Sequence, residues 1–360
     1  MARKWYALGL LVLALALLSA CAGAPPVAQT AAPTLSAPAV TAPTQAPNQA
    51  APELEKVSVA IGAQGAMVYL PFDVAKALDL YKQEGLDVTL NFMSGGTLAG
   101  NAIVSGSVQF SGASLDHPIA AQAQGKDIRM VTSFTHLPGL TLVVRKDLKD
   151  KIKTVADLKG QKVGVTGIGS GSHVLLVYLM NKAGLKPDDV QIVAVGSATA
   201  VPAMQKGEVA AVMTADPFTG VMLKEGDYAL VDFCTEADTT KYLGGEYQFT
   251  GMETTGDMIK NKPQTVQKMV NAMVKAERYV ATHSPEEVAN LLPAEVTGKD
   301  KALYAQGLTH ILPALSKDGI ITEAGVDNAI AVNKVFGSIK PGQTLNIPAL
   351  YDSDFAKNVK

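Results

Sequence analysis

The chain has 360 residues and a formal net charge of −2, with 48% apolar and 18% charged residues. This length permits two domains with substantial cores, while the balanced charge offers no basic surface of the kind that binds nucleic acid. The five histidines show neither an i,i+4 pair nor another metal-ligand spacing, so no metal site and no cofactor are predicted.

The first twenty residues predict a secretory signal peptide. Arg3 and Lys4 form a positive n-region, and residues 5–18 form a short apolar h-region. The LSAC stretch at 18–21 resembles the bacterial lipobox, in which the cysteine becomes the lipid-modified first residue. An uncleaved membrane anchor is the alternative, but about 14 apolar residues fall short of the ~20 that span a bilayer. We therefore expect acyl chains on Cys21 to hold the protein at the extracytoplasmic face of a membrane.

Residues 21–54 predict a disordered linker. From Ala22 to Pro52 there is no charged residue, and proline recurs among Ala, Thr and Gln. Such a composition cannot bury enough apolar surface to offset the entropy lost on ordering, and its prolines favour extended conformations. If Cys21 is lipidated, Cys234 has no partner for an intramolecular disulfide, so the body depends on core packing for its stability.

Beyond the linker the chain alternates between strands and helices. Residues 57–61 predict a strand. A loop of small residues follows it, and then an amphipathic helix with Leu70, Val74 and Tyr81 on its apolar face. Residues 88–92 then alternate as the next strand. Strand, loop, helix and strand in this order are typical of a parallel sheet with helices on its faces.

A second α/β unit is predicted from about residue 145. Thr154 and Asp157 form a capping-box pattern at the start of a short helix. Residues 162–165 predict a strand, and a loop rich in glycine and serine at 166–172 leads into a helix. After about residue 245 the apolar spacing becomes helical.

A weak internal repeat links the two units. Residues 94–97 lead through a helix to a strand that runs into Asp116, and 101 residues later 195–198 lead through a helix to a strand that runs into Asp216. Small residues match easily by chance, but two βαβ units in equivalent places predict two similar α/β domains.

Ligands of open parallel sheets bind outside the carboxyl ends of the strands, where helix N-termini also supply free N–H groups. The predicted strand-end loops are residues 62–69, 94–97, 112–117, 135–138, 166–173, 196–199 and 214–218. The candidate ligand-binding residues in these loops are Gln64, Met67, Tyr69, Gly95, Ser114, Asp116, His117, Thr166, Ser170, Ser172, His173, Asp216 and Phe218.

Most of these candidates also have a purely structural interpretation. The 166–172 loop has neither a P-loop lysine nor the GxGxxG spacing, and Ser170 or Ser172 suits the N-cap of a helix. Asp116 and Asp216 stand close to prolines, which is typical of helix caps. If they face a cleft instead, they accept N–H or O–H donors from a ligand. For the histidines and the aromatic residues, packing in the core is the alternative.

The strand-end loops contain no arginine or lysine. Tight anion binding generally recruits arginine, whose guanidinium holds an oxyanion through two hydrogen bonds. Helix N-termini, hydroxyls and two carboxyls favour a neutral or weakly polar ligand, such as a nitrogen heterocycle with N–H donors. A small anion held by backbone N–H groups is the alternative.

Three stretches resemble one protein family. They are YLPFDVAK at 69–76 with YKQEGLDV at 81–88, ADLKGQKVGVT at 156–166, and KGEV with ADPF at 206–218. In this order the chain is similar to the periplasmic solute-binding proteins of ABC importers for nitrate, taurine, alkanesulfonates, thiamine pyrimidine precursors and riboflavin, over residues 56–355.

The resemblance implies a two-lobed α/β fold of the type II periplasmic binding protein class. Each lobe is a mainly parallel sheet flanked by helices, and a two-strand hinge joins the lobes. Lobe 1 is expected to comprise residues 55–144 with 245–360, and lobe 2 residues 145–244.

The implied function is that of a monomeric, lipid-anchored receptor that delivers a small solute to an ABC permease and its ATPase, without catalysis. Riboflavin or a thiamine pyrimidine precursor is the favoured ligand, and taurine, an alkanesulfonate or nitrate is the alternative. A pyrimidine-synthase-like enzyme and a sensory binding module are further alternatives. Pyrimidine-synthase relatives carry a cysteine-rich motif near the cleft, whereas only Cys234 is available here, which argues against an enzyme.

Overall fold

The computed structural model describes residues 53–360 of the chain. The predicted signal peptide, Cys21 and all but the last two residues of the predicted linker lie outside this part. Between residues 53 and 360, none of the helices combines the length and the apolar composition that a membrane span requires.

The described residues form two five-stranded sheets with helices on their faces. The strands are β1 (Glu55–Ile61), β2 (Leu86–Phe92), β3 (Phe110–Ser114), β4 (Ile128–Ser133), β5 (Leu140–Val144), β6 (Lys162–Val165), β7 (Gln191–Ala194), β8 (Ala211–Ala215), β9 (Tyr228–Asp232) and β10 (Thr250–Thr255). This architecture confirms the predicted α/β class.

Helices separate most of the strands. They are α1 (Leu70–Ala77), α2 (Leu80–Gln83), α3 (Gly96–Val104), α4 (Asp116–Ala123), α5 (Gly171–Lys182), α6 (Ala200–Gln205), α7 (Phe218–Lys224), α8 (Glu236–Leu243), α9 (Gly256–Asn261), α10 (Pro263–Thr282), α11 (Pro285–Leu291), α12 (Ala294–Thr297), α13 (Lys301–Ile311), α14 (Glu323–Phe336) and α15 (Asp354–Lys357).

The two sheets have the same layout. The first is ordered β2-β1-β3-β10-β4 and the second β7-β6-β8-β5-β9. In each, the first two pairings are parallel and the last two antiparallel. Each sheet is therefore mixed, with four strands in one direction and a single strand, β10 or β5, in the other. The equivalent strands β3 and β8 begin at residues 110 and 211, which is the 101-residue offset of the predicted repeat.

The antiparallel strand of each sheet is the first strand after the chain has crossed from the other sheet: β5 in the second sheet and β10 in the first. The chain passes from β4 to β5 through residues 134–139 and returns from β9 to β10 through residues 233–249. The passages are hydrogen-bonded to each other, since the Tyr247 N–H donates to the His136 carbonyl at 2.9 Å. Beside this bond, the Phe134 N–H donates at 2.8 Å to the carbonyl of Thr250, the first residue of β10.

The boundary expected after residue 144 does not match the sheet pairing. Strand β5 pairs with β8 and β9 of the second sheet, so residues 140–144 belong with that sheet. The N–H of Gly139 donates to the carbonyl of Phe233, which ties the start of β5 to the return passage. The apolar pattern of 140–144 is the same for either sheet, and for that reason it does not reveal the partner strand.

Local signals are mostly confirmed. The predicted helix from Leu70 to Tyr81 breaks into α1 and α2 at Asp79, whose φ of 54° is left-handed, but Leu70, Val74 and Tyr81 are all buried. The capping box of Thr154 and Asp157 is formed, with a short 3₁₀ turn behind it instead of an α-helix.

Candidate ligand-binding site

A cavity lies between the two sheets, at the carboxyl ends of their parallel strands. Its empty volume, including space open to solvent, is about 440 Å³. It lies where β1, β3, β6 and β8 end, as expected for an open parallel sheet. Its wall is formed by Gly62, Ala63, Ala66, Val68, Tyr69, Gly96, Ser114, Leu140, Thr166, Ser170, Gly171, Ser172, Ser197, Thr214, Ala215, Phe218 and Phe249.

Six of the thirteen candidate residues line this cavity. They come from loops of both halves of the chain, and they supply five hydroxyls and two aromatic rings: Tyr69, Ser114, Thr166, Ser170, Ser172 and Phe218. A seventh candidate, Gly95, lies at the cavity edge, where an added Cβ would be 2.7 Å from the Thr166 carbonyl oxygen. Beside it, the Thr97 hydroxyl donates to the Ile168 carbonyl at 3.0 Å, so loops of the two halves touch.

Three hydroxyls form a cluster at the N-terminus of α5. Thr166 Oγ1 lies 3.1 Å from Ser170 Oγ and 3.0 Å from Ser172 Oγ, and the two serine oxygens are 2.9 Å apart. Ser170 occupies the N-cap position, but its hydroxyl donates to the Gly167 carbonyl at 2.7 Å rather than capping the helix. The first-turn N–H groups of α5, which have no partner within the helix, therefore stay free of side-chain caps.

Two more hydroxyls in the wall are buried without a hydrogen-bond partner among the described residues. They are Ser114 Oγ, at the end of β3, and Thr214 Oγ1, in β8. Because β3 and β8 are the equivalent strands of the two sheets, the two halves contribute matching hydroxyls. A buried hydroxyl without a partner costs free energy, and both groups therefore keep an unused capacity for a hydrogen bond.

Tyr69 supplies a neutral hydroxyl. Burial raises the pKa of its phenol well above the usual value, and the Glu253 and Asp116 carboxyls add to that effect. The hydroxyl oxygen packs against Gly62, where an added Cβ would lie 2.7 Å from it. A side chain at position 62 would therefore displace the tyrosine from the cavity wall.

Asp116 lies behind the wall rather than in it. Its Oδ1 accepts hydrogen bonds from the Tyr247 hydroxyl at 3.1 Å and from Asn333 Nδ2 at 2.6 Å. Its Oδ2 is buried and has no partner among the described residues. A Cβ added to Gly171, a wall residue, would lie 2.9 Å from that oxygen. A carboxylate thus stands one glycine away from the cavity.

The two candidate histidines pack in the protein instead of lining the cavity. His117 lies against Gly100, and its Nδ1 is 3.1 Å from the Ser114 carbonyl. His173 Nδ1 accepts from the Gly169 N–H, and its ring meets Phe336 edge-on at 5.1 Å. Burial lowers the pKa of both imidazoles, so the structural interpretation fits them.

Three further candidates lie outside the wall. Gln64 borders separate surface grooves. Met67 is buried, and its N–H donates to the Asp216 carbonyl at 2.8 Å. Asp216 Oδ1 accepts from the Gly220 N–H in the first turn of α7, as the helix-cap interpretation expects.

Asp216 belongs to a second polar cluster, next to the cavity wall. Its Oδ2 is 2.7 Å from His310 Nδ1, and Asp232 Oδ2 is 2.9 Å from His310 Nε2. Hydrogen bonds to Asp216 and then to Asp232 raise the pKa of His310 to about 12. Burial raises the pKa of the neighbouring Cys234 thiol to about 12.

Several wall residues were not among the candidates. Ser197 and Thr214 fall within strand-end loops predicted from the sequence, although the structure places Thr214 in β8. Leu140 is the first residue of β5 and Phe249 the last residue of the return passage, and nothing in their local sequence shows that they meet at a cavity. Among the described residues, no charged side chain lines the wall.

Residues 67–288 match the model of a protein family described as NMT1/THI5 like. The chain belongs to this family. It is similar to a solved protein of Bordetella bronchiseptica RB50, with a TM-score of 0.79 and 29% identity, covering 85% of this chain and 96% of that chain.

Two curated relatives of the NMT1/THI5-like protein are named for different ligands. Riboflavin-binding protein RibY of Chloroflexus aurantiacus is 25% identical over 308 residues, which are 84% of this chain and 82% of the relative. A protein of Escherichia coli named as aliphatic sulfonates-binding is 37% identical over 123 residues, 34% of this chain and 38% of the relative. These matches confirm the family resemblance, and by family and fold the chain is a solute-binding protein of the ABC-importer type.

Proposed function

We propose that this protein is the lipid-anchored, extracytoplasmic receptor of an ABC importer, and that it binds a neutral nitrogen heterocycle between its two sheets. Riboflavin or a thiamine pyrimidine precursor is the favoured ligand. The protein acts as a monomer with a permease and an ATPase as partners. The observation that carries the ligand class is a cavity wall of hydroxyls and aromatic rings without a charged side chain.

The shape and chemistry of the wall support a flat, polar ligand. Phe218 and Phe249 supply ring faces of the kind on which a heterocycle stacks. The unpartnered hydroxyls of Ser114 and Thr214 can donate to ring nitrogens or carbonyl oxygens.

The charge behind the wall also favours a ligand with N–H donors over an anion. The free Oδ2 of Asp116 stands next to Gly171. A negative charge in a low-dielectric interior repels an anion and attracts a donor hydrogen. RibY, a relative that aligns with most of the chain, is named for riboflavin.

A small anion such as taurine, an alkanesulfonate or nitrate is the second candidate. One observation favours it: the N-terminus of α5 opens on the cavity, with Gly171 and Ser172 in the wall. Free N–H groups at a helix N-terminus bind anions. The match to the E. coli protein named for aliphatic sulfonates supports the same alternative.

Binding by closure of two lobes explains why wall residues come from both halves. We assign residues 55–139 with 245–360 to one lobe and 140–244 to the other, with the paired passages near Phe134 and Tyr247 as the hinge. A ligand that contacts both walls favours the closed form, because only that form offers all its contacts. Binding without catalysis fits the cavity hydroxyls, of which Thr166, Ser170 and Ser172 bond to one another rather than to a base.

The test is a binding panel. Protein purified under native conditions is analysed by native mass spectrometry for a retained ligand, then titrated calorimetrically with riboflavin, an aminopyrimidine, taurine and nitrate. Binding of riboflavin or the aminopyrimidine, with a smaller radius of gyration in solution scattering, supports the proposal. Binding of taurine or nitrate alone overturns the proposed ligand class. If the radius of gyration stays the same with every compound that binds, the proposal that the two lobes close on the ligand is overturned.

A further inference from the structure

Three side chains that can bind a metal ion meet beside the cavity. Asp216 follows β8, Cys234 follows β9, and His310 lies in α13. A ligand atom of each lies within 4.8 Å of the other two. His310 is 94 residues from Asp216 in sequence, which explains why no spacing pattern reveals the group.

The donor set has the chemistry of a transition-metal site. A thiol, an imidazole and a carboxyl are the three ligand types that bind Zn²⁺ in proteins, whereas sites for Mg²⁺ and Ca²⁺ are built from oxygen atoms. Cys234 is fully buried. Its metal-binding partners are therefore the side chains beside it, Asp216 and His310. The combination therefore favours Zn²⁺ over the hard cations.

A second carboxyl holds the imidazole in place. His310 Nε2 lies 2.9 Å from Asp232 Oδ2, while Nδ1 faces Asp216. Metal-binding histidines usually donate their other ring N–H to a carboxylate, which fixes the tautomer and the ring orientation. Asp232 occupies that position and leaves Nδ1 on the Asp216 side.

We propose that Asp216, Cys234 and His310 form a Zn²⁺ site, with Asp232 as the residue that positions His310. The ion replaces the proton between His310 Nδ1 and Asp216 Oδ2, and the Cys234 thiol loses its proton to become a thiolate ligand. Two protons leave for each Zn²⁺ that enters, so the net charge of the site, counted with the ion, is unchanged. The inference goes beyond solute binding and does not depend on which solute the cavity takes.

The site has a route of entry and a structural consequence. The His310 side chain is 29% exposed, whereas that of Asp216 is 1% exposed, so an ion enters from the histidine side. His310 belongs to the helical part after β10, and its partners follow strands of the second sheet. A bound ion therefore links the two halves next to Ala215 and Phe218 of the cavity wall.

The test titrates the protein, purified without a polyhistidine tag, with Co²⁺ as a spectroscopic substitute and then with Zn²⁺ in competition. One Co²⁺ per chain with a thiolate-to-cobalt charge-transfer band is expected, and Zn²⁺ abolishes the band. The band is lost in Cys234→Ser and in His310→Gln. Asp232→Asn keeps the ligands and weakens binding about 10- to 100-fold, which still tests the site if the other variants fail to fold.

The matched control is His283→Gln, which removes a histidine at the end of α10 and keeps the band. Absence of stoichiometric binding to the folded protein overturns the proposal. His310 then only forms ion pairs with Asp216 and Asp232. Binding without the thiolate band, or binding that survives Cys234→Ser and His310→Gln, overturns it as well, because the ion then occupies another place.

Discussion

Gly95 lies against the backbone carbonyl of Thr166, and a Cβ at position 95 would be 2.7 Å from that oxygen. The two residues belong to different halves of the chain, at the edge of the proposed ligand cavity. Because the obstacle is backbone rather than a flexible side chain, it cannot move aside alone. The absence of a side chain at position 95 thus permits the close approach of the two halves.

We predict that Gly95→Ala weakens solute binding at least tenfold and leaves the thermal stability of the ligand-free protein within a few degrees of wild type. The added methyl group holds the halves apart, and the extended backbone of Gly95, with φ of −176°, accepts alanine. Calorimetry and solution scattering with the retained ligand measure the effect. Gly167→Ala is the control, since its nearest neighbour is 3.4 Å away; equal affinities of the two variants would contradict the prediction.

Thr214→Val should weaken ligand binding about 2- to 13-fold, the equivalent of one hydrogen bond of about 0.5–1.5 kcal/mol. The same change should leave the ligand-free protein as stable as wild type or more so, because Thr214 Oγ1 is buried without a partner. Thr132→Val is the contrast: its hydroxyl donates to the Gly319 carbonyl, so stability falls and affinity does not. Unfolding midpoints and calorimetric dissociation constants separate the two effects, and an unchanged affinity in Thr214→Val would remove this hydroxyl from the site.

Asp116→Asn distinguishes the two ligand classes. The substitution keeps the size of the side chain and removes the negative charge behind Gly171. A ligand with N–H donors should bind a few-fold more weakly to the variant, whereas taurine or an alkanesulfonate should bind more tightly. Titrations at two salt concentrations check that the change is electrostatic. Weaker binding of both classes would point to a packing defect instead.

Asp73 should make the protein less stable as the pH rises from about 4 to 7. Burial raises the pKa of its carboxyl from 3.8 to about 7, so in this window the unfolded chain releases a proton that the folded protein keeps. The free energy of unfolding then falls by roughly 4 kcal/mol in total, and no further above pH 7.

Asp73→Asn tests this prediction because it removes the titrating group. The stability of the variant relative to wild type should rise between pH 4 and pH 7 in urea unfolding experiments. Asp87→Asn, on the exposed face of β2, is the control and should follow wild type. A constant difference between Asp73→Asn and wild type across this range would refute the prediction.

The sequence predicts those parts of the site that follow from local pattern. Strand ends, the hydroxyl loop at 166–172 and the 101-residue offset all depend on neighbours in sequence, and each is found in the structure. The partners of Asp116, Asp216 and β5 depend on contacts across long stretches of chain. In sequence, a carboxyl beside a proline looks the same whether its partner is a helix N–H, a distant histidine or a ligand. The partners of Asp116 and Asp216 therefore become evident only in the folded structure.

The placement of β10 has a consequence for biogenesis. It lies between β3 and β4, yet it is made after every strand of the second sheet. That second sheet is continuous in sequence from residue 140 to 232 and can assemble as the chain emerges. The first sheet stays split until residue 255 has been synthesised, so the earliest part of the body to be made is the last to be completed. Until β10 is made, the edges of β3 and β4 that pair with it are exposed, and such unpaired strand edges are templates for aggregation.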